Sequence, residues 1–184
     1  MRMAAIILVG GASARMGADK AMLCWNGRRA VDRLADLARD VGAEYALTVG
    51  HGDHGLPRLD DPSPDGGPVA GIAAGVAALK AKGYGRVLVL AVDAPTVRPE
   101  DLSPLIATVP PGAAYERLNL PLVMDIDASP GDAGPGWAVR RLVERAGLAR
   151  VACPAGAAER LRGANTPDER QRLLTALLQA ETAA

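Results

Sequence analysis

A chain of 184 residues, 49% hydrophobic and 23% charged, carries enough apolar material for one soluble globular domain, read here as spanning residues 1–184. Its 21 basic and 21 acidic side chains cancel, so no overall field draws it to nucleic acid or to an anionic membrane. Two Trp, three Tyr and no Phe leave little for base-stacking platforms, and two cysteines make neither a disulfide framework nor a paired metal spacing. Reduced thiols in a cytoplasmic protein are therefore expected. The longest uncharged apolar run, residues 69–79, falls short of the ~20 residues of a membrane span. The apolar run at residues 4–9, ahead of Ala12-Ser13-Ala14, is likewise shorter than the ~7–15 residues of a signal-peptide core.

In chain order, residues 4–9 read as a buried strand that breaks at Gly10-Gly11 into a small-residue loop. Residues 23–25 read as a short extended piece turned by Asn26-Gly27. A helix is predicted from about Ala30, with Val31, Leu34, Leu37, Ala38 and Val41 on one face and Gly42 as its stop. Residues 45–49 form a second strand, followed by a glycine-rich polar loop. That loop holds His51 and His54, read as a solvated turn rather than a metal site. A second long loop, residues 60–68, leads into a small-residue helix over about 69–79, able to pack closely on a sheet or a ligand. Residues 86–92, RVLVLAV, are the strongest strand in the chain, suited to the buried centre of a parallel sheet. They end in Asp93-Ala94-Pro95. Pro99-Glu100-Asp101 opens a helix to about residue 108. Residues 113–116 and 120–126 read as strands paired across Arg117-Leu118-Asn119, and 127–136 as a mobile loop. Residues 137–146 read as a helix and 149–153 as a strand. Thr166-Pro167-Asp168-Glu169 is a capping box that starts a last helix to about residue 179.

Strands alternating with helices, with a glycine loop after the first strand, predict a three-layer α/β/α sandwich with a Rossmann-like, mostly parallel sheet. Such sheets bind ligands at the carboxyl ends of their strands, where both the first loop and Asp93 fall. In that loop Gly10, Gly11, Ser13 and Gly17 suit backbone donation to a phosphate, and Arg15 and Lys20 supply two cations. A glycine turn with solvated cations is the plainer reading of such a loop. The order fits neither G-x-x-x-x-G-K-[ST] nor G-x-G-x-x-G.

The order that is present, a hydrophobic strand followed by G-G-x-S-x-R-M-G-x-D-K over residues 10–20, closely resembles the signature of the MobA-like nucleotidyltransferases, whose type member is molybdenum cofactor guanylyltransferase. The likeness continues through Asp61 and Gly67–Gly71 (G-P-V-A-G), the Asp93-Ala94-Pro95 turn and Pro99–Leu102, and returns at Asn165–Glu169. It implies Mg²⁺-dependent transfer of GMP from GTP to molybdopterin with release of pyrophosphate. Cytidylyl transfer, another phosphorylated acceptor, or a non-catalytic nucleotide-binding homologue stand as alternatives. The resemblance implies Lys20, Arg15 and Asp93 as the catalytic set, with Asp93 the metal ligand. Leu8, Gly10, Gly11, Ser13, Gly17, Lys20, Thr48, Asp61, Gly67 and Asp93 would line the nucleotide. Two positions depart from the family pattern: Gly163 stands where the family has asparagine, and Leu120 where a polar residue precedes the proline.

Overall fold

A computed structural model of the chain describes residues 1–9, 19–63 and 66–182. Among these residues seven strands form one sheet: β1 (Met3–Leu8), β4 (Tyr45–Val49), β5 (Arg58–Leu59), β6 (Arg86–Ala91), β7 (Gly112–Tyr115), β8 (Leu122–Asp125) and β9 (Ala149–Val151). Their order is β5-β4-β1-β6-β8-β7-β9. A separate hairpin pairs β2 (Cys24–Trp25) with β3 (Arg28–Arg29) across the expected Asn26-Gly27 turn. The α-helices of the described residues are α1 (Ala30–Asp40), α2 (Pro68–Ala81), α3 (Pro99–Ile106), α4 (Val139–Arg145), α5 (Ala158–Arg162) and α6 (Pro167–Thr182).

Every strand pairing of the large sheet is parallel except those of β8 with β6 and with β7. The exception has a simple cause. Only six residues join β7 to β8, and a parallel crossover needs a dozen or more. The expected sandwich follows from the alternation of side chains along the central strands. Ala5 and Ile7 of β1 and Leu88 and Leu90 of β6 face Val31 and Leu34 of α1, Leu102 and Leu105 of α3, and Leu173 and Leu177 of α6. Ala4, Ile6 and Leu8, with Val87 and Val89, face Val69, Ile72 and Val76 of α2 and Leu142 and Val143 of α4. Helix α2 lies very close to the sheet. A Cβ on Gly75 would stand 2.5 Å from Ile6 Cδ1, and one on Gly71 3.0 Å from Val49 Cγ1.

The register aligns the strand ends into one rim. Leu8 pairs with Val49 on one side and with Ala91 on the other, and Val49 with Leu59. Four chain segments therefore leave the sheet together: those following residues 8, 49, 59 and 91. Because β8 runs the other way, its approach through Leu120-Pro121 reaches the same rim. Among the described residues no helix is long and apolar enough to cross a membrane.

Candidate active site

Lys20 opens a single turn of 3-10 helix, Lys20–Met22, for which Asp19 is the N-cap; Asp19 Oδ1 accepts from the Ala21 N–H at 2.9 Å. The turn holds the lysine at the rim, where its Nζ donates to the Ala164 carbonyl and to Asn165 Oδ1, each at 3.3 Å. Asp93 arrives from the end of β6. Its backbone is tied to the same C-terminal segment, the Ala164 N–H donating to the Asp93 carbonyl at 2.8 Å. Burial pushes the Asp93 carboxyl above the ordinary carboxylate range, and the Lys20 cation opposes that shift. The Lys20 ammonium and the Asp93 backbone, more than 70 positions apart in sequence, thus both bond to one clamp, residues 164–165.

That clamp is fixed by local chemistry. Thr166 and Glu169 form the expected capping box: Glu169 Oε2 accepts from the Asn165 and Thr166 N–H groups, and the Glu169 N–H donates to Thr166 Oγ1. These bonds hold the Glu169 carboxyl below its usual range. Short helix α5 is anchored by a bidentate ion pair, Arg160 Nη2 and Nε to the carboxylate of Asp101 at 2.5 and 2.8 Å. Asp101 is buried and also accepts from the Arg98 N–H at 3.0 Å. Between α5 and Asp93, Gly163 adopts φ 73° and ψ −171°. A Cβ there would overlap the backbone carbonyl of Asp93. The departure from the family's asparagine therefore has a geometric counterpart: at this position backbone meets backbone, with no room for a side chain.

Beside Asp93 lies a cleft of about 150 Å³, walled by Leu34, Val97, Leu118, Leu120 and Leu161 with Arg162 at its edge. Leu120, the other departure, forms part of this apolar wall. Across the rim, Asp61 Oδ1 accepts from the Ser63 N–H at 3.0 Å, an Asx turn that shapes the second loop. Gly67 is the exposed N-cap of α2. The Gly136 N–H donates to the Gly66 carbonyl at 2.8 Å, binding the 127–136 loop to the second loop. The neighbouring Trp137 ring lies under the guanidinium of Arg141, 3.9 Å from its centroid. Thr48 is buried, and its hydroxyl donates to the Pro57 carbonyl at 3.4 Å. Leu8 ends β1 at the rim. Gly10, Gly11, Ser13, Arg15 and Gly17 lie outside the described residues.

The histidine loop departs from its expectation. His51 is exposed, but His54 is buried rather than solvated, with Nε2 2.9 Å from Asp19 Oδ2. Neither histidine joins a cluster of metal-ligating side chains, and among the described residues no group of three or more such side chains exists. A partly buried carboxylate whose ionised form is disfavoured by burial suits a hard divalent cation. Such cations are commonly held by one or two carboxylates together with substrate phosphates and water.

Residues 5–116 match the family model described as a MobA-like NTP transferase domain. A molybdenum cofactor guanylyltransferase from Xanthomonas euvesicatoria pv. vesicatoria (strain 85-10) is 30% identical over 178 residues, covering 92% of this chain and 93% of that protein. Another, from Acidiphilium cryptum, is 35% identical over 145 residues, or 72% and 74% of the two chains. Among solved structures, 2-C-methyl-D-erythritol 4-phosphate cytidylyltransferase from Thermus thermophilus superposes with a TM-score of 0.66 at 16% identity, over 96% of this chain and 99% of that one. Molybdopterin-guanine dinucleotide biosynthesis protein A from Archaeoglobus fulgidus gives 0.62 at 18% identity, over 97% and 100%. At these identities the structural likeness is one of fold.

Proposed function

Because this chain belongs to the MobA-like NTP transferase family, we propose that it transfers GMP from GTP to molybdopterin, with Mg²⁺ as its metal. In this reading a terminal phosphate oxygen of the acceptor attacks the α-phosphorus of GTP. The new P–O bond forms as the bond from the α-phosphorus to the bridging oxygen breaks, and pyrophosphate carries away the electron pair. The observation that carries the reading is that Lys20 Nζ and the Asp93 backbone are both tied to residues 164–165 at the rim.

The roles join the family motif to the places of Lys20 and Asp93 at the rim. Lys20, with Arg15, neutralises charge as it builds on the α-phosphate, and its ammonium is already held in place by two oxygen acceptors. Asp93 is the residue that would hold Mg²⁺, which when bound screens the phosphate charge. The motif gives Gly10, Gly11, Ser13 and Gly17 the role of offering N–H groups to the phosphates. The base and ribose lie toward Asp61 and Gly67, with Leu8 and Thr48 beneath. The acceptor enters by the cleft beside Asp93. Its apolar wall, including Leu120, favours the flat ring of a pterin or another phosphorylated acceptor with an apolar body.

The test is thermal stability with GTP, CTP, ATP or UTP, with and without Mg²⁺, since a ligand of the native state raises the melting temperature. A GTP-selective, Mg²⁺-dependent rise is expected, followed by turnover with molybdopterin that Lys20→Ala abolishes. A CTP-selective rise would transfer the proposal to a cytidylyltransferase. No rise with any nucleotide would refute it.

A further inference from the structure

His54 is a residue to which neither the motif nor the reaction gives a role. It sits in the loop after β4, yet it is one of the few buried polar side chains among the described residues, with no side-chain exposure. Burying an imidazole in a surface loop is costly unless it is hydrogen-bonded; Nε2 meets Asp19 Oδ2 at 2.9 Å, while Nδ1 finds no partner among the described residues. Asp19 uses its two oxygens for different ends. Oδ1 caps the turn that begins at Lys20, and Oδ2 meets the imidazole. The surroundings are shaped for this pair. Gly52, at φ 95°, leaves the space that a Cβ would take only 3.1 Å from the His54 ring and 3.6 Å from Asp19 Oδ2. Arg29, itself doubly bonded to Asp32 of α1, donates to the His54 carbonyl at 3.3 Å and ties the loop's backbone to the scaffold.

We propose that His54 is a positioning residue for Lys20: through Asp19 it fixes the turn that carries the ammonium, so the loop after β4 sets the geometry of the Lys20–Met22 turn. The chain of contacts runs from the imidazole to the carboxylate, from the carboxylate to the Ala21 N–H, and from the turn to the lysine, which ends on Ala164 and Asn165. A lysine is a point charge on a flexible four-carbon stem, and its aim is only as good as the backbone from which it starts. Outer partners that orient a metal-ligating side chain cost about 10–100-fold in function when removed, and a loss of that order is the expectation for His54.

The sequence supplies its own controls, for it contains three lysines: Lys20, Lys80 and Lys82. The experiment is amine acylation of the intact protein, read at each lysine by peptide mass spectrometry, on wild type, His54→Leu, His54→Gln and Asp19→Ala. The expected result is a several-fold rise in Lys20 labelling in His54→Leu and Asp19→Ala, with Lys80 and Lys82 unchanged. His54→Gln, whose amide N–H can replace Nε2, should return toward wild type. Unchanged Lys20 labelling in folded His54→Leu would overturn the proposal, and unchanged labelling in Asp19→Ala would do so equally should the leucine variant fail to fold. Equal rises at all three lysines would also overturn it, as general loosening.

The catalytic consequence rests on the role given to Lys20 above, and a turnover cycle separates the two ideas. His54→Leu should lower kcat about 10–100-fold, and should cost nothing further in a Lys20→Ala background. A Lys20→Ala protein with wild-type kcat would refute the role of Lys20 while leaving the labelling result intact. Additive losses in the double variant would refute His54 as acting through Lys20.

Discussion

Replacing Gly163 with alanine would put a methyl group where the backbone carbonyl of Asp93 already stands. Two costs add. The backbone at φ 73° and ψ −171° lies in a region that only glycine occupies freely, worth roughly 1–3 kcal/mol for any other residue. Relieving the overlap also means moving residues 163–164 away from β6, which breaks the Ala164 to Asp93 hydrogen bond of 2.8 Å, worth about 1 kcal/mol. A loss of roughly 2–4 kcal/mol in unfolding free energy is expected from these two terms, measured by urea titration. The displaced clamp also carries the acceptors of Lys20, so kcat should fall along with stability. Gly163→Asn brings the same Cβ into the same space and should do no better. Stability within about 0.5 kcal/mol of wild type, the ordinary range of a neutral surface substitution, together with unchanged turnover, would refute the reasoning.

Two further outcomes can be checked with the same protein. Arg160→Ala leaves the Asp101 carboxylate buried without its counter-charge and should destabilise by about 3 kcal/mol in urea titration. Adding Asp101→Asn to that variant should recover part of the loss. In the metal-free protein Asp93 has a raised pKa, so the native state binds more protons than the unfolded one between the two pKa values, and stability must fall as pH rises through that window. Asp93→Asn should therefore flatten this part of a melting-temperature profile and stabilise the metal-free protein at neutral pH while abolishing turnover.

The parts of this molecule that are legible in the sequence are those whose signal is local. β1 and β6 are continuous apolar runs, because both faces of the central sheet are covered, and their buried patterns follow directly. Gly71 and Gly75 announce a helix that packs closely, and Thr166 to Glu169 a capped helix start. Elements too short to carry a period give no such signal: β5 has two residues and α5 five. Helix α4 begins at Val139 rather than Trp137, whose ring is taken up by stacking with Arg141. In the site, Lys20 is visible from the motif over residues 10–20, and Asp93 because it closes the apolar run of β6. The burial of His54 is not. It is created by a partner 35 positions away, and nothing in H-G-D-H separates a clamped imidazole from a solvated one. The role of Gly163 is hidden for the same reason, being set by the carbonyl of Asp93, far earlier in the chain.

The chain's two tryptophans pack on opposite faces of the sheet. Trp25, only 2% exposed, belongs to the hairpin that follows the Lys20 turn, with the Arg170 guanidinium 5.5 Å from its ring centroid. Trp137 adjoins Gly136, whose N–H is bonded to the second loop, and its indole carries the Arg141 guanidinium overhead. The protein is thereby fitted with two native fluorophores, one behind the Lys20 turn and one beside the second loop. Single-tryptophan variants, Trp25→Phe and Trp137→Phe, turn emission intensity into separate clocks for the two loops. Under the proposed function, the order in which a nucleotide engages the Lys20 side and the second loop then becomes observable in a stopped-flow trace, without a label.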